Sequence, residues 1–291
     1  MILAFDIGGS RIRAALWDGT ELRPLGEAPT PAHDIEAFTR AITGFAAGTG
    51  ARGLAISIAG VVDPETDIGI VANIAAIDGL ALGPALRQAT GLPVLVLNDA
   101  DCFALAEAWQ GAGRGHDNVF GVILGTGVGG GLVIGGRLVT GAGGYAGEWG
   151  HGPVLRGDYA LRCGCGQVGC IDMIGGARGL ERLHHLRTGA EVPSEEIVAR
   201  WQAGDTAATG TMELWRELVA GPLAMVLNVV GASIVPVGGG LSRAPGLVDY
   251  LDEGLRARIL RRSPGPLAVP AQCGADAGLL GAAMAGAAAW L

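Results

Sequence analysis

The sequence contains no lysine; all 20 of its basic residues are arginine. A lysine Schiff base is therefore excluded. So is a Walker-type phosphate loop, which needs Gly-Lys ahead of Ser or Thr. Charge is sparse altogether, at 16% of residues, and the net charge is -8. That balance argues against nucleic acid as a partner. Cysteine is scarce as well: five residues, three of them bunched at Cys163, Cys165 and Cys170. This is not the pattern of a disulfide framework, and a reducing cytoplasm is the expected compartment. The opening MILAFDIGGS lacks the basic stretch and cleavage site of a secretory signal. The closing GLLGAAMAGAAAWL is apolar but shorter than the roughly 20 residues a membrane-spanning helix needs. It is expected to be a buried helix, and no membrane partner is expected.

What is abundant is apolar residues, 49%, and glycine, 52 residues in 291. This is a globular composition with many turns, in a chain long enough for one large core or two. ILAFDIGG reads as a strand ending in a glycine turn. Alternation over Arg11–Trp17 predicts a second strand, and Asp18-Gly19 a further turn. A helix is expected over 33–48, a buried strand at GLAISIAG, an irregular loop to residue 80 and a helix over 82–90. PVLVLND (93–99) is a strand that hands over to a helix at ADCFALAEAWQ. Residues 120–141 read as strand, glycine loop, strand, Gly-Gly turn, strand. A long helical stretch covers 174–232 with breaks near 190 and 204. SIVPVGGGL is a strand, followed by a helix near 245–260, a strand near 266–270 and the terminal helix. Strands alternating with helices indicate α/β. Residues 2–17 and 120–139 echo each other as strand, glycine turn, strand. Two such halves predict two domains facing a cleft, divided in RGHDN near 115–119.

Four stretches carry chemistry. LGTGVGGG contains a G-x-G-x-x-G match at Gly125, Gly127 and Gly130. A dinucleotide fingerprint needs a helix after the glycines, and strand-like LVIGGRLVTG follows instead. A glycine hairpin can still present successive N–H groups to an anion, and DIGGS at residues 6–10 does the same. Either loop alone reads equally well as a tight turn. Together, with a carboxylate in the first, they suggest a phosphate site, with Asp6 orienting a water on Mg²⁺. Asn98-Asp99 sits between strand and helix. Asp99 is either a helix cap or a base that accepts a proton from a substrate hydroxyl. His151, Cys163, Cys165 and Cys170 supply one imidazole and three thiolates, a closed set for a structural zinc ion. The redox alternative is disfavoured because thioredoxin-type chemistry uses C-x-x-C and the run here begins C-x-C. Cys102 and Cys273 read as plain buried cysteines. Glu148 and Asp172 flank the cluster, each within three residues of a proposed ligand. Carboxylates in that position are suited to accept hydroxyl groups of a sugar.

EWGH and CGCGQVGCID carry a family likeness: the chain resembles the ROK family (repressors, open reading frames, sugar kinases) over its whole length. The resemblance implies a two-domain, actin-like or hexokinase-like (ribonuclease H-like) ATPase fold with a cleft between domains. It implies a small domain of residues 1–118 joined by the terminal helix 275–291, and a larger domain of 119–274 with the zinc loop. The implied activity is ATP-dependent phosphorylation of a hexose or aminosugar at the 6-hydroxyl. DIGGS (Asp6, Gly8, Gly9, Ser10, with Arg11) looks like the first phosphate motif, and LGTGVGGG (Gly125, Thr126, Gly127, Gly129) like the second. VPVGGGLS, with Gly238, Gly239 and Gly240, resembles the segment near the adenosine. Asp99 matches the catalytic aspartate. Asn73, Asn98, Glu148, His151 and Asp172 match sugar-contacting positions, His151 doubling as a zinc ligand. The implied cofactors are ATP, Mg²⁺ and structural Zn²⁺, and the implied assembly is a homodimer.

The sequence departs from the pattern at several places. Ser10-Arg11 stands where Thr-Lys is usual, Asp172 replaces glutamate, and Ala59 and Ala75 replace prolines. LNDADCFALAEAW and GVILGTGVGGGL resemble N-acetylglucosamine kinases of the family, whereas GYAGEWGHGP also resembles fructokinases and mannokinases. A repressor of the same family would need a helix-turn-helix ahead of DIGGS, which begins at residue 6. A zinc-stabilised sugar-binding protein without catalysis is the third reading, opposed by the intact Asn98-Asp99 pair.

Overall fold

The first hairpin forms where the alternation of the sequence puts it. In the computed structural model, which describes residues 1–291, β1 (Ile2–Ile7) and β2 (Arg11–Trp17) pair antiparallel around the Gly8–Ser10 turn. β3 (Leu22–Pro29) continues antiparallel from β2. The segment carries no strand signal of its own, since Pro24, Gly26 and Pro29 interrupt the run. It is an edge strand, where proline is tolerated, and its register slips opposite Ala14 and Ala15, which face Gly26 and Pro24. α1 (Ile35–Ala46) starts at an Asp34 cap and leads to β4 (Leu54–Ile58). The stretch expected as an irregular loop holds a small ladder of β5 (Val61–Val62) and β6 (Gly69–Ile70). α2 (Leu82–Thr90) and β7 (Val94–Asn98) follow, and α3 (Asp99–Trp109) leaves β7 without a linker. β4 and β7 run parallel to β1, giving the order β3-β2-β1-β4-β7.

The second sheet is made of β8 (Val119–Leu124), β9 (Val128–Ile134), β10 (Arg137–Val139), β11 (Val235–Gly238) and β12 (Ala268–Pro270), in the order β10-β9-β8-β11-β12. β8 and β9 form an antiparallel hairpin, and β11 and β12 add parallel on the other side. The hairpin echo in the sequence is thus the legible part of a repeat that extends to the whole sheet. Between β10 and β11 lie α4 (Asp172–Gly175), α5 (Ala177–Thr188), α6 (Ser194–Gln202) and α7 (Thr206–Val230). The breaks fall as expected. Gly189 ends α5 in the left-handed conformation, and Asp205 caps α7. α8 (Leu247–Arg256) and α9 (Ala277–Trp290) complete the chain. No helix is long and apolar enough to cross a membrane.

The chain divides into two compact units. The first takes residues 1–110, 137–146 and 273–291; the second takes 111–136 and 147–272. The division differs from the expected one, at 273–274 and at two longer stretches. Residues 111–118 go with the second unit, where Ser233 N–H donates to the Asn118 carbonyl at 2.8 Å and His116 Nδ1 lies 2.8 Å from Ser233 Oγ. Residues 137–146 go with the first, because Gly144, at φ +79, sits against the Val62 carbonyl with no room for a Cβ.

The core of the first unit is aliphatic: Leu3, Phe5, Ile7, Ile12, Phe38, Ile42, Leu54, Ile56 and Ile58 are all buried. α9 closes it. Its alanines and glycines let it approach β1, β4 and α3 closely, and a Cβ on Gly281 would overlap the Cys102 carbonyl. Gly281→Val is therefore expected to cost about 1–3 kcal/mol by overpacking, read as a thermal midpoint lowered by several degrees. An unchanged midpoint would show that α9 can move aside. The second unit is built around Trp215 of α7, fully buried, whose Nε1 donates to the Gly175 carbonyl at 3.1 Å.

Candidate active site

In the first unit the candidate residues gather at one edge of the sheet. Ile7, Ile58 and Asn98 are in register across β1, β4 and β7. The turns after those three parallel strands therefore leave from the same carboxyl end, which is where open α/β sheets bind ligands. In the β1–β2 turn Gly8 N–H donates to the Arg11 carbonyl at 3.0 Å, and Thr30 Oγ1 donates to the Gly8 carbonyl at 2.7 Å. The next two amides, of Gly9 and Ser10, donate to no group of the chain. Two successive unused N–H groups are what an anion requires. Asn73, itself exposed, lies against this turn: a Cβ on Gly9 would come 3.0 Å from the Asn73 Cβ. Arg11 points elsewhere and pairs with Glu27 at 3.0 Å.

Asp6 is half-buried behind the turn. Ser57 Oγ donates to its Oδ1 at 3.2 Å, and Arg13 lies 3.6 Å from its Oδ2. Burial raises the pKa of the Asp6 carboxyl above the ordinary aspartate range, and Arg13 partly opposes that rise. Gly278, in the first turn of α9, leaves room for this carboxylate; a Cβ there would come 2.7 Å from Asp6 Oδ1. Ser57, Arg13 and Gly278 carry no motif signal, and sequence reasoning misses them.

At the start of α3 the two readings of Asp99 separate. Asn98 is the cap: its Oδ1 accepts from the Ala100 and Asp101 amides at 2.7 and 3.2 Å, and its Nδ2 donates to the Gly60 carbonyl at 2.9 Å. Asp99 is the first residue of the helix, and its Oδ1 shares the Ala100 amide at 2.9 Å. The capping role is thus filled by the neighbour, and Asp99 stands in the first turn of α3. Asn98 has its amide largely committed inside the protein.

In the second unit the β8–β9 turn has the same character. Gly125 N–H closes onto the Gly127 carbonyl at 3.0 Å, while the Thr126 and Gly127 amides donate to no group of the chain. Gly238 pairs with Ile123 at the end of β11. A Cβ on Gly239, at φ +94, would overlap Leu124 and come 2.7 Å from Gly125 N. The third glycine motif therefore abuts the second, with Gly240 next to it. Gly129 is held by a residue with no motif signal, Trp149, whose Nε1 donates to its carbonyl at 2.9 Å.

His151, Cys163, Cys165 and Cys170 bring their ligand atoms within 4.8 Å of one another. Cys163 Sγ is 3.7 Å from His151 Nδ1, and the Cys165 and Cys170 sulfurs are 3.6 Å apart. A tetrahedral zinc with bonds of about 2.3 Å to sulfur sets its ligand atoms about 3.8 Å apart. The donor set and its spacing fit that ion. The glycines of CGCGQVGC make the loop possible. Gly166 and Gly169 have φ of +91 and +87, and Cys163 N–H closes the turn onto the Gln167 carbonyl at 2.8 Å. Gly152 N–H donates to Cys170 Sγ at 3.4 Å, and the Gln167 amide draws the Cys165 thiol down to about 7. His151 turns Nδ1 to the sulfurs and Nε2 toward Glu148, 3.8 Å from Oε2. That is the usual arrangement of a metal-binding imidazole backed by a carboxylate. Burial raises the Glu148 pKa, with Asp172 adding to the rise and His151 opposing it. Asp172 faces inward, its Oδ1 2.8 Å from the Val128 amide.

The profile of the ROK family matches residues 2–287. The N-acetyl-D-glucosamine kinase of Pasteurella multocida is 35% identical over 302 residues, covering 97% of this chain and 98% of its own. Among solved structures, a ROK hexokinase from Thermus thermophilus superposes with a TM-score of 0.86 at 32% identity, covering 97% of this chain and 96% of its own. A ROK family glucokinase from Streptomyces griseus, in complex with glucose and AMPPNP, gives 0.76 at 30% identity and covers 98% of both chains.

Proposed function

Given that this chain belongs to the ROK family, we propose that it is an ATP-dependent sugar kinase that phosphorylates the 6-hydroxyl of N-acetylglucosamine. The curated relative at 35% identity acts under that name. The observation that carries the chemistry is local: Asn98 caps α3, and Asp99 beside it is an aspartate at a helix start whose capping work is already done.

Asp99 accepts the proton of the sugar 6-hydroxyl as that oxygen attacks the γ-phosphorus and ADP leaves. An ordinary carboxylate suffices for this, because phosphoryl transfer asks mainly for position and charge neutralisation. The chain has no lysine, so backbone amides do what a phosphate-loop lysine does elsewhere. Gly9 and Ser10 in one turn, and Thr126 and Gly127 in the other, offer their unused N–H groups to phosphate oxygens. Magnesium, when bound with the nucleotide, neutralises charge on the β- and γ-phosphates. Asp6 fits such an ion as a single half-buried carboxylate, since Mg²⁺ keeps most of its waters. His151, Cys163, Cys165 and Cys170 hold a zinc ion in a closed, structural site. Glu148, Asn73 and the outer face of His151 accept or donate to sugar hydroxyls, and Gly238–Gly240 borders the adenosine.

A hexokinase and a glucokinase are among the similar structures, so glucose is the competing substrate. A coupled ADP-release assay with Mg-ATP against N-acetylglucosamine, N-acetylmannosamine, glucose, mannose and fructose separates the two. N-acetylglucosamine is expected to give the highest kcat/KM, at least tenfold above glucose. Higher kcat/KM for glucose would replace the proposed substrate. Absence of turnover with every sugar would remove the kinase reading.

A further inference from the structure

Asp172 ties into the second unit through both side chain and backbone. Oδ1 accepts from the Val128 amide at 2.8 Å, and its own N–H donates to the Gly150 carbonyl at 2.9 Å. We propose that Asp172 is a positioning residue that locks the glycine turn of β8–β9 to the thiolate loop, and that it does not bind the sugar. The inference rests on reading that turn as a phosphate site.

The geometry behind it is a clasp. After the thiolate loop the chain runs straight along the turn. Ala177 N–H donates to the Gly125 carbonyl at 2.8 Å, and Arg178 N–H to the Thr126 carbonyl at 3.3 Å. A Cβ on Gly176 would come 2.5 Å from the Gly127 carbonyl oxygen, and one on Gly127 would overlap Asp172 Oδ1. Before the thiolate loop, Gly150 packs on the Val128 carbonyl, leaving only 2.7 Å for a Cβ, and its own carbonyl accepts from Asp172 N–H at 2.9 Å.

Peptide planarity converts these bonds into an orientation. In a trans peptide the C=O of one residue and the N–H of the next point in opposite directions. Holding the Gly125 and Thr126 carbonyls toward α5 therefore turns the Thr126 and Gly127 amides away from it, free for an anion. The next donor along, Val128 N–H, would be a third unused amide in the turn. Asp172 occupies it and fixes the end of the turn. The aspartate reaches this amide through the space that Gly127 leaves by lacking a Cβ, and a glutamate would carry its carboxylate one methylene further.

The test compares Asp172→Ala and Asp172→Asn with the parent protein by amide hydrogen exchange followed by NMR and by the KM for ATP and for sugar. An asparagine keeps Oδ1 as an acceptor for Val128 and places an N–H₂ toward the Cys163 sulfur. It removes the carboxylate that a sugar contact would need. In Asp172→Ala, Val128 protection should fall at least tenfold and the KM for ATP should rise about tenfold, as for loss of a hydrogen bond to a charged group. The KM for sugar should change less than threefold. Asp172→Asn should restore most of the Val128 protection and most of the ATP affinity. If instead Val128 protection is unchanged in Asp172→Ala, or if Asp172→Asn raises the KM for sugar tenfold while leaving that for ATP alone, the proposal is overturned. Should Asp172→Ala not fold, Asp172→Asn decides alone by the same two readouts. Should the parent phosphorylate no sugar, the kinase reading fails, and exchange at Val128 still decides whether Asp172 holds the turn.

Discussion

Asp99→Asn should abolish turnover while leaving the protein folded and able to bind sugar. Loss of a positioned general base lowers rates by about 10²–10⁴, and a fall in kcat of that size is expected with little change in either KM. The substitution is nearly isosteric. The start of α3 does not depend on it, because the Ala100 and Asp101 amides are held by Asn98. The measurement is ADP release at saturating sugar and Mg-ATP, paired with a thermal melt and with calorimetric binding of the sugar. A kcat within tenfold of the parent would remove Asp99 from the role of base. A collapse of the melt would mean that the carboxylate is structural after all.

Removal of metal should lower the stability of this chain markedly. The four proposed ligands lie in one stretch, His151 to Cys170, whose own buried side chains are few: Leu155, Cys163 and Cys170. Such a loop is held by its crosslink more than by a core. An ion that binds only the folded chain stabilises it by about 4 kcal/mol when present at a thousand times its dissociation constant. Elemental analysis of the purified protein should give one zinc per chain. A strong chelator, or Cys163→Ser, should lower the thermal midpoint by on the order of 10 °C. The loss should be seen first in the amides of residues 150–178, and it should release protons on reconstitution, since thiols must ionise to bind. A metal-free preparation with an unshifted melt would reduce the cluster to three ordinary thiols and an imidazole.

What the sequence made legible was what is local. CGCGQVGC places three thiolates and the glycines that turn them within eight residues, so ligand set and loop shape are read together. The strands of both hairpins announce themselves by alternation and by the glycines between them. β3 does not, because two prolines and a glycine suppress the strand signal in a segment that only the neighbouring β2 makes extended. At Asn98-Asp99 the residue types identify a helix start. Which of the two is the cap follows only from backbone geometry. The partners of Asp6 are Ser57, 51 residues away, and Arg13 across the hairpin, and no spacing rule reaches them. The Asp172–Val128 bond spans 44 residues. The sequence marks Asp172 as a carboxylate beside a metal ligand and is silent on the direction in which it points.

The arrangement of the first unit bears on how the chain is made. β1, β4 and α3 are covered by α9, whose residues 277–290 are synthesised after all three. Until they emerge, the face around Cys102 and Ala55 has no cover, and these strands must wait for a helix made much later. Folding of this unit therefore waits until α9 has been made. A message cut short anywhere before α9 yields a chain with an uncovered apolar sheet, a form that chaperones and proteases recognise, in place of a half-active enzyme. Synthesis of α9 is itself the checkpoint.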